Sequence, residues 1–265
     1  MHLRLEESLK QFDYAIPLNN TEPSPVRLLL QGTSGSGKTT SALTFPNLLI
    51  VDFDNKLGDH RHRADVQVLP FHSKSFIEKL LLKEKLETNV MLGGQLNSAI
   101  MFSQWLKKNV ETIPADMTLV VDSGNMLVTA LDVMIEATDK KKDDGESVNK
   151  FASWGRKLTL LNELLTHIKK LKCKFIWIAH EAMSLDQDGN SSGKWNPLIS
   201  GATKDNFPGN FTHRFRQTAE ENKTTKEIEY WWQISQSKLC DCFCPLEVNK
   251  KKGPKVLANY NNITW

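Results

Sequence analysis

Cysteine is scarce, with four in 265 residues: Cys173 alone, and Cys240, Cys242 and Cys244 together. That is too few for the disulfide framework of a small secreted scaffold. C-x-C-x-C also lacks the paired C-x-x-C spacing of a zinc site, so the sulfurs read as reduced, buried thiols. No run of about eighteen apolar residues occurs, which excludes a helix spanning a membrane. Charge of one sign is missing as well: 34 Lys and Arg against 31 Asp and Glu leave +3. A field that weak neither implies nor excludes nucleic acid, so any basic surface is local. The opening MHLRLEESLKQFDY carries acids and no long apolar stretch, and does not read as a signal peptide. Internal repeats and low-complexity segments are absent. The expectation is a soluble protein in a reducing, cytoplasmic setting, with 40% hydrophobic residues to build one sizeable core.

What is present alternates. Residues 1–25 form a lead that ends in the linker-like NNTEPSP, and residues 26–265 are read as the core. Short apolar runs occupy 26–32, 47–54, 117–124 and 173–180, each continuous enough for a strand buried on both faces. Helical patterns fill 74–86, 95–110, 125–138 and 151–172. This alternation predicts an α/β fold, a mainly parallel central sheet flanked by helices. Residues 184–210 have no period and many Gly, Asn, Ser and Asp, so they are expected to form a long loop. Residues 212–219 and 226–235 then read as antiparallel strands extending the sheet at its C-terminal end.

Gly32-Thr33-Ser34-Gly35-Ser36-Gly37-Lys38-Thr39, followed by Thr40, fits G-x-x-x-x-G-K-S/T without a mismatch, after a predicted strand and before a predicted helix. Glycines let successive N–H groups turn inward to cradle a phosphate chain. Lys38 is expected to reach the β- and γ-phosphates of ATP, and the Thr39 hydroxyl to bind Mg²⁺. Asp122, ending the apolar run TLVVD, is the matching acid for the metal; the alternative is a cap for the next helix. Asp52 and Asp54 are expected to share one face of a strand, with Asp54 the better candidate to position attacking water. Its alternative is a turn-forming Asp before Asn55. His180, at the end of FIWIAH, is placed to sense the terminal phosphate, or else is an ordinary satisfied polar residue.

These strand-end signals, in this order, resemble the RecA-like ATPase core. GTSGSGKTT…LLIVDFD, VVDS, WGRKLTLLNELL and IAHE are more narrowly similar to a group of phage nucleotide-binding proteins that includes RecA-core single-strand annealing proteins. The resemblance spans roughly residues 26–245. It implies ATP with Mg²⁺ as cofactors and single-stranded DNA as partner. It also implies self-association into a ring or filament, and a link to a single-strand-binding protein, in phage recombination or annealing. Asp54 stands where the family has a catalytic glutamate, a departure that leaves hydrolysis slow or DNA-dependent. His180 stands where the recombinases have a glutamine. Segment 184–210 corresponds to a DNA-binding loop, with Lys194, Trp195, Lys204 and Phe207 offering charge and rings; the alternative is a solvated surface excursion. ISQSKLCDCF resembles a strand whose lysines act on a neighbour's nucleotide, which assigns Lys238 a role in trans, although Gln236 departs from the usual lysine. Phe12-Asp13-Tyr14-Ala15 fits the F-x-x-A docking motif, with Phe12 and Ala15 as its anchors.

Two other functions remain open at this point. A nucleotide-dependent switch or assembly protein would couple ATP to a protein partner rather than to DNA. A P-loop small-molecule kinase would need an arginine-rich lid.

Overall fold

The apolar runs pair side by side in the computed structural model, which describes residues 24–86, 97–140, 150–185, 190–199, 206–238, 240–245, 249 and 251–265. The first run is β1 (Arg27–Gly32). It is followed by the short α1 (Lys38–Ala42) and by β2 (Leu48–Asp52). A 3-10 turn (Leu57–His60) and β3 (Gln67–Leu69) lead to α2 (Lys74–Glu84) and α3 (Ser98–Asn109). β4 (Thr118–Asp122) then precedes α4 (Gly124–Lys140) and α5 (Lys150–Lys170). β5 (Lys174–Leu185), β6 (Ser191–Pro197), β7 (His213–Glu221), β8 (Ile228–Gln233) and β9 (Lys255–Leu257) complete the order. Helix starts follow their caps: Ser73 accepts the Phe76 N–H ahead of α2, and Asn97 accepts those of Ala99 and Ile100 ahead of α3.

Across the sheet the strands run β3-β2-β4-β5-β1-β7-β8-β9, with β6 paired to β5 alone. The pairings from β3 to β7 are parallel; β8 and β9 add on antiparallel. This is the expected α/β architecture with its C-terminal extension. β5 separates β1 from β4, which sets the P-loop and Asp122 two strands apart at one sheet edge.

Both faces are covered, which is why the strands read as unbroken apolar runs. Leu29, Val51, Val121, Phe175 and Trp177 pack under α2 to α5. Leu28, Leu30, Ile50, Val120 and Ile178 pack against α1 and the C-terminal Trp232, Val256 and Ile263.

The expected loop over 184–210 is partly a hairpin. β5 continues past the apolar run to Leu185 and returns as β6, with Glu181 opposite Pro197 and Met183 opposite Trp195. Its residues are mixed in character: Met183 faces Trp195 on one side, while on the other Asn196 donates to the Ser184 hydroxyl across the pair at 2.5 Å. A strand pair that mixes polar and apolar residues on each strand shows no clean alternation to detect.

Candidate active site

β1 ends at Gly32, and the chain turns back on itself before α1 starts at Lys38. Gly35 (φ 76°) and Gly37 (φ 80°) take left-handed conformations that only glycine adopts freely. At Gly37 there is a second constraint. A Cβ there would lie 2.5 Å from the ring of Tyr230, which β8 lays against the loop. Beneath the loop sits Gln217 of β7, fully buried. Its Nε2 donates to the Ser36 carbonyl (2.8 Å), while its Oε1 accepts from Ser41 Oγ (2.5 Å) and Trp232 Nε1 (3.0 Å). Thr33, Ser34 and Gly35 form the exposed rim, and Thr40 faces solvent on α1. Lys38 Nζ donates to the carbonyls of Gly32 (2.9 Å) and Thr33 (2.7 Å). Burial lowers its pKa to about 8, against the pull of Asp122 and Glu181.

Thr39 Oγ1 donates to Asp122 Oδ2 at 2.6 Å, across the end of β5, the strand that parts β1 from β4. Burial pushes Asp122 up to about 6, with Asp54 and Asp52 adding to the shift and the Thr39 bond opposing it. A hydroxyl and a carboxylate in contact are hard oxygen donors of the kind Mg²⁺ takes, so these residues fit the ion. The Asp122–Ser123 peptide is cis.

The two acids of IVDFDN do not share a strand face, because β2 stops at Asp52. Asp52 Oδ1 accepts the N–H groups of Asp54 (3.0 Å) and Asn55 (2.8 Å), so Asp52, not Asp54, forms the turn. His72 Nδ1 lies 3.3 Å from its other oxygen. Asp54 hangs beyond the strand end with its side chain nearly buried. Its Oδ1 accepts from Ser123 Oγ (3.0 Å), and its Oδ2 pairs with Lys56 Nζ (3.1 Å). Ser123 therefore carries Asp54 beside Asp122.

His180 is opposite Gly32 in the β1–β5 register. Burial, then the cations Lys38 and Lys56, lower its pKa, leaving a neutral ring at pH 7. Its backbone N–H donates to Asn125 Oδ1 (2.6 Å), and Asn125 Nδ2 donates to the Leu198 carbonyl (2.5 Å). One side chain at the start of α4 thus ties β5 to the chain leaving β6. Ser123 and Asn125 flank Asp122 closely enough to have been proposed from VVDSGN; Gln217 and Tyr230 gave no local signal.

The residues expected to meet DNA are differently placed. Phe207 is a core residue, 1% exposed, packed edge-on against Trp177 and tilted against Phe211. It offers no ring to a base. Trp195 has the Arg216 guanidinium over its ring at 4.9 Å. Arg216 in turn forks onto the buried Glu181 carboxylate, Nε at 3.0 Å from each oxygen and Nη2 at 2.8 Å from Oε1. Lys194 is ion-paired with Asp241 at 2.5 Å. Lys204, Phe12 and Ala15 lie outside the described residues. Lys238 is not on a strand: β8 ends at Gln233, and Lys238 is exposed in the bend that follows. Cys240, Cys242 and Cys244 are buried thiols. Among the described residues, no cluster of three or more His, Cys, Asp or Glu side chains forms a metal site.

The family described as the AAA domain matches residues 24–241. The chain belongs to that family. The match runs from just before β1 to Asp241 and takes in every site residue described above. Solved structures similar to this AAA-domain chain include the KaiC-like protein PH0186 from the hyperthermophilic archaeon Pyrococcus horikoshii OT3, at 16% identity over 82% of each chain and a TM-score of 0.38. Another is the flagellar accessory protein FlaH from Methanocaldococcus jannaschii, at 10% identity over 81% of this chain and 79% of that one, with a TM-score of 0.37. No curated protein matches the chain significantly. Family and P-loop together make this AAA-domain protein a P-loop ATPase core, built on a mainly parallel sheet flanked by helices.

Proposed function

We propose that the protein hydrolyses ATP, slowly, and uses the cycle to reposition the β5–β6 hairpin against single-stranded DNA. The observation that carries the ATPase part is the 2.6 Å contact between Thr39 and Asp122, with Asp54 brought alongside through Ser123. Lys38 leaves the Gly32 and Thr33 carbonyls for the phosphate oxygens. Thr39 and Asp122 hold Mg²⁺, which when bound neutralises charge on the phosphate chain. Asp54 orients the attacking water, and its short reach keeps the rate low.

The DNA part rests on the resemblance and on the hairpin's attachment. Asn125 binds both His180 and the exit of β6, so a change at the terminal phosphate passes to residues 191–197. Lys194 would trade Asp241 for a DNA phosphate, and Lys204 would add charge. Assembly into a ring or filament, Lys238 acting on a neighbour, docking through Phe12 and Ala15, and a single-strand-binding protein as partner complete the reading, in phage recombination or annealing.

The burial of Phe207 and the covering of Trp195 favour a second reading, a nucleotide switch for a protein partner. A kinase is disfavoured, because Arg214 lies against the Phe243 ring and Arg216 is locked to Glu181, so neither forms a lid. Steady-state ATP hydrolysis with and without single-stranded DNA, with Lys38→Ala as blank, decides between the first two. Stimulation lost in the mutant supports DNA coupling; turnover indifferent to DNA rejects it and leaves the switch.

A further inference from the structure

Both oxygens of Asp54 are engaged, one by Ser123 and one by Lys56. Each carboxylate oxygen has two lone pairs, so the ammonium leaves an acceptor site on Oδ2, but its charge draws on that oxygen and makes it a poorer acceptor for the attacking water. Ser123 is buried, but Lys56 is not: its side chain is 65% exposed on a four-carbon stem. The turn that carries it is rigid. Asp52 caps it with two N–H bonds, and Asn55 takes a left-handed φ of 56° that swings the chain back, so Lys56 points at Asp54.

The ammonium is also within electrostatic reach of the P-loop, since its charge helps to lower the pKa of both Lys38 and His180, after burial. Only the lysine end of the pair is exposed, so the ammonium can leave for another anion while the Asp54 carboxylate stays in place. The terminal phosphate of ATP is a more highly charged and more protected partner.

We propose that Lys56 is a terminal-phosphate sensor that switches partners. Without a γ-phosphate it occupies Asp54 Oδ2 and holds the site idle. With ATP bound it moves to the γ-phosphate and releases Oδ2 to the water. That water's oxygen then bonds to the γ-phosphorus as the bond to the bridging oxygen of ADP breaks, and its proton leaves through Asp54 to the departing phosphate. Lys56 thereby gives ATP an advantage over ADP that the P-loop alone does not supply. The inference rests on the proposed ATP site with Asp54 as the water-orienting group.

The test is binding of ATPγS and of ADP, each with Mg²⁺, to wild type, Lys56→Ala and Lys56→Arg by calorimetry, with kcat for ATP alongside. Wild type is expected to prefer ATPγS. Lys56→Ala should lose about tenfold of that preference while ADP affinity stays within about twofold, and kcat should fall. Lys56→Arg should keep the preference, a rescue that a packing role for an exposed side chain would not produce. An unchanged ATPγS-to-ADP ratio in Lys56→Ala, with nucleotide still bound, overturns the sensor and leaves the ATP site standing. A wild type that binds neither nucleotide, or an Asp54→Asn variant that hydrolyses ATP at the wild-type rate, overturns the site reading and the sensor with it.

Discussion

Gln217→Leu probes the floor of the P-loop. The substitution replaces the amide with an apolar side chain of similar size and removes three hydrogen bonds at once. Ser41 retains a partner in the Lys38 carbonyl at 3.0 Å. Trp232 Nε1, on a residue with no exposed surface, loses its acceptor, and the Ser36 carbonyl loses its side-chain donor. A buried polar group left unpaired costs about 1–3 kcal/mol. Two of them, partly offset by the added apolar contact, give a net loss of about 3 kcal/mol. For a chain of this size that lowers Tm by about 6–12 °C. Thermal unfolding followed by circular dichroism reads the first effect. Titration with a fluorescent ATP analogue reads the second, since a loop no longer held at Ser36 should bind nucleotide about tenfold more weakly. Ser41→Ala, which removes one donor and leaves the other two bonds, should shift Tm by less than half as much. A Gln217→Leu protein that melts within about 2 °C of wild type and binds nucleotide normally would falsify the role given to this residue.

Other outcomes follow from single features. His213, buried between Trp265 and Phe215, has its pKa lowered by burial to about 4 from 6.5. The folded state keeps it neutral while the unfolded chain charges it, so its contribution of about 3 kcal/mol is complete above pH 6.5 and drains away as pH falls toward 4. The free energies of unfolding at pH 7.5 and 4.5, from urea titrations, should differ by that much less in His213→Phe. Phe207→Ala should cost about 3–5 kcal/mol by cavity formation; if instead stability holds and only DNA binding falls, the core placement is wrong. Gly124→Ala would drive a Cβ into the Trp177 indole. It should destabilise by roughly 3 kcal/mol, measured in urea, because neither Trp177 nor the Asp122 strand end has room to yield.

The sequence carried the sheet because strands buried on both faces leave an unmistakable mark: 27–32, 48–52 and 118–122 sit inside the expected runs. The P-loop was legible for a similar reason, since its glycines are local requirements of backbone conformation. What escaped depends on contacts that no window contains. Gln217 looks like any polar residue on a strand until β7 is set beside β1. The β5–β6 hairpin escaped because its apolar and polar residues follow no clean alternation, and β3 and β9 because three residues establish no period. Phe207 was misjudged because an aromatic in a Gly- and Asn-rich stretch reads as solvent-facing, whereas here it plugs the face beneath Trp177. Asp52 and Asp54 do not share the expected strand face because β2 ends at Asp52, two residues before the apolar run does.

The pairing of β7 with β1 also has a bearing on how the protein is made. Ser41 and Gln217 are 176 residues apart in the chain. At bacterial to eukaryotic synthesis rates of about 5–20 residues per second, the phosphate loop leaves the ribosome roughly ten to thirty-five seconds before the strand that braces it from below. A nascent chain can therefore present the complete glycine-rich signature and still lack a settled nucleotide site. Competence to bind ATP arrives late, with the last quarter of the polypeptide, and a product stalled before β7 would carry the motif without the activity.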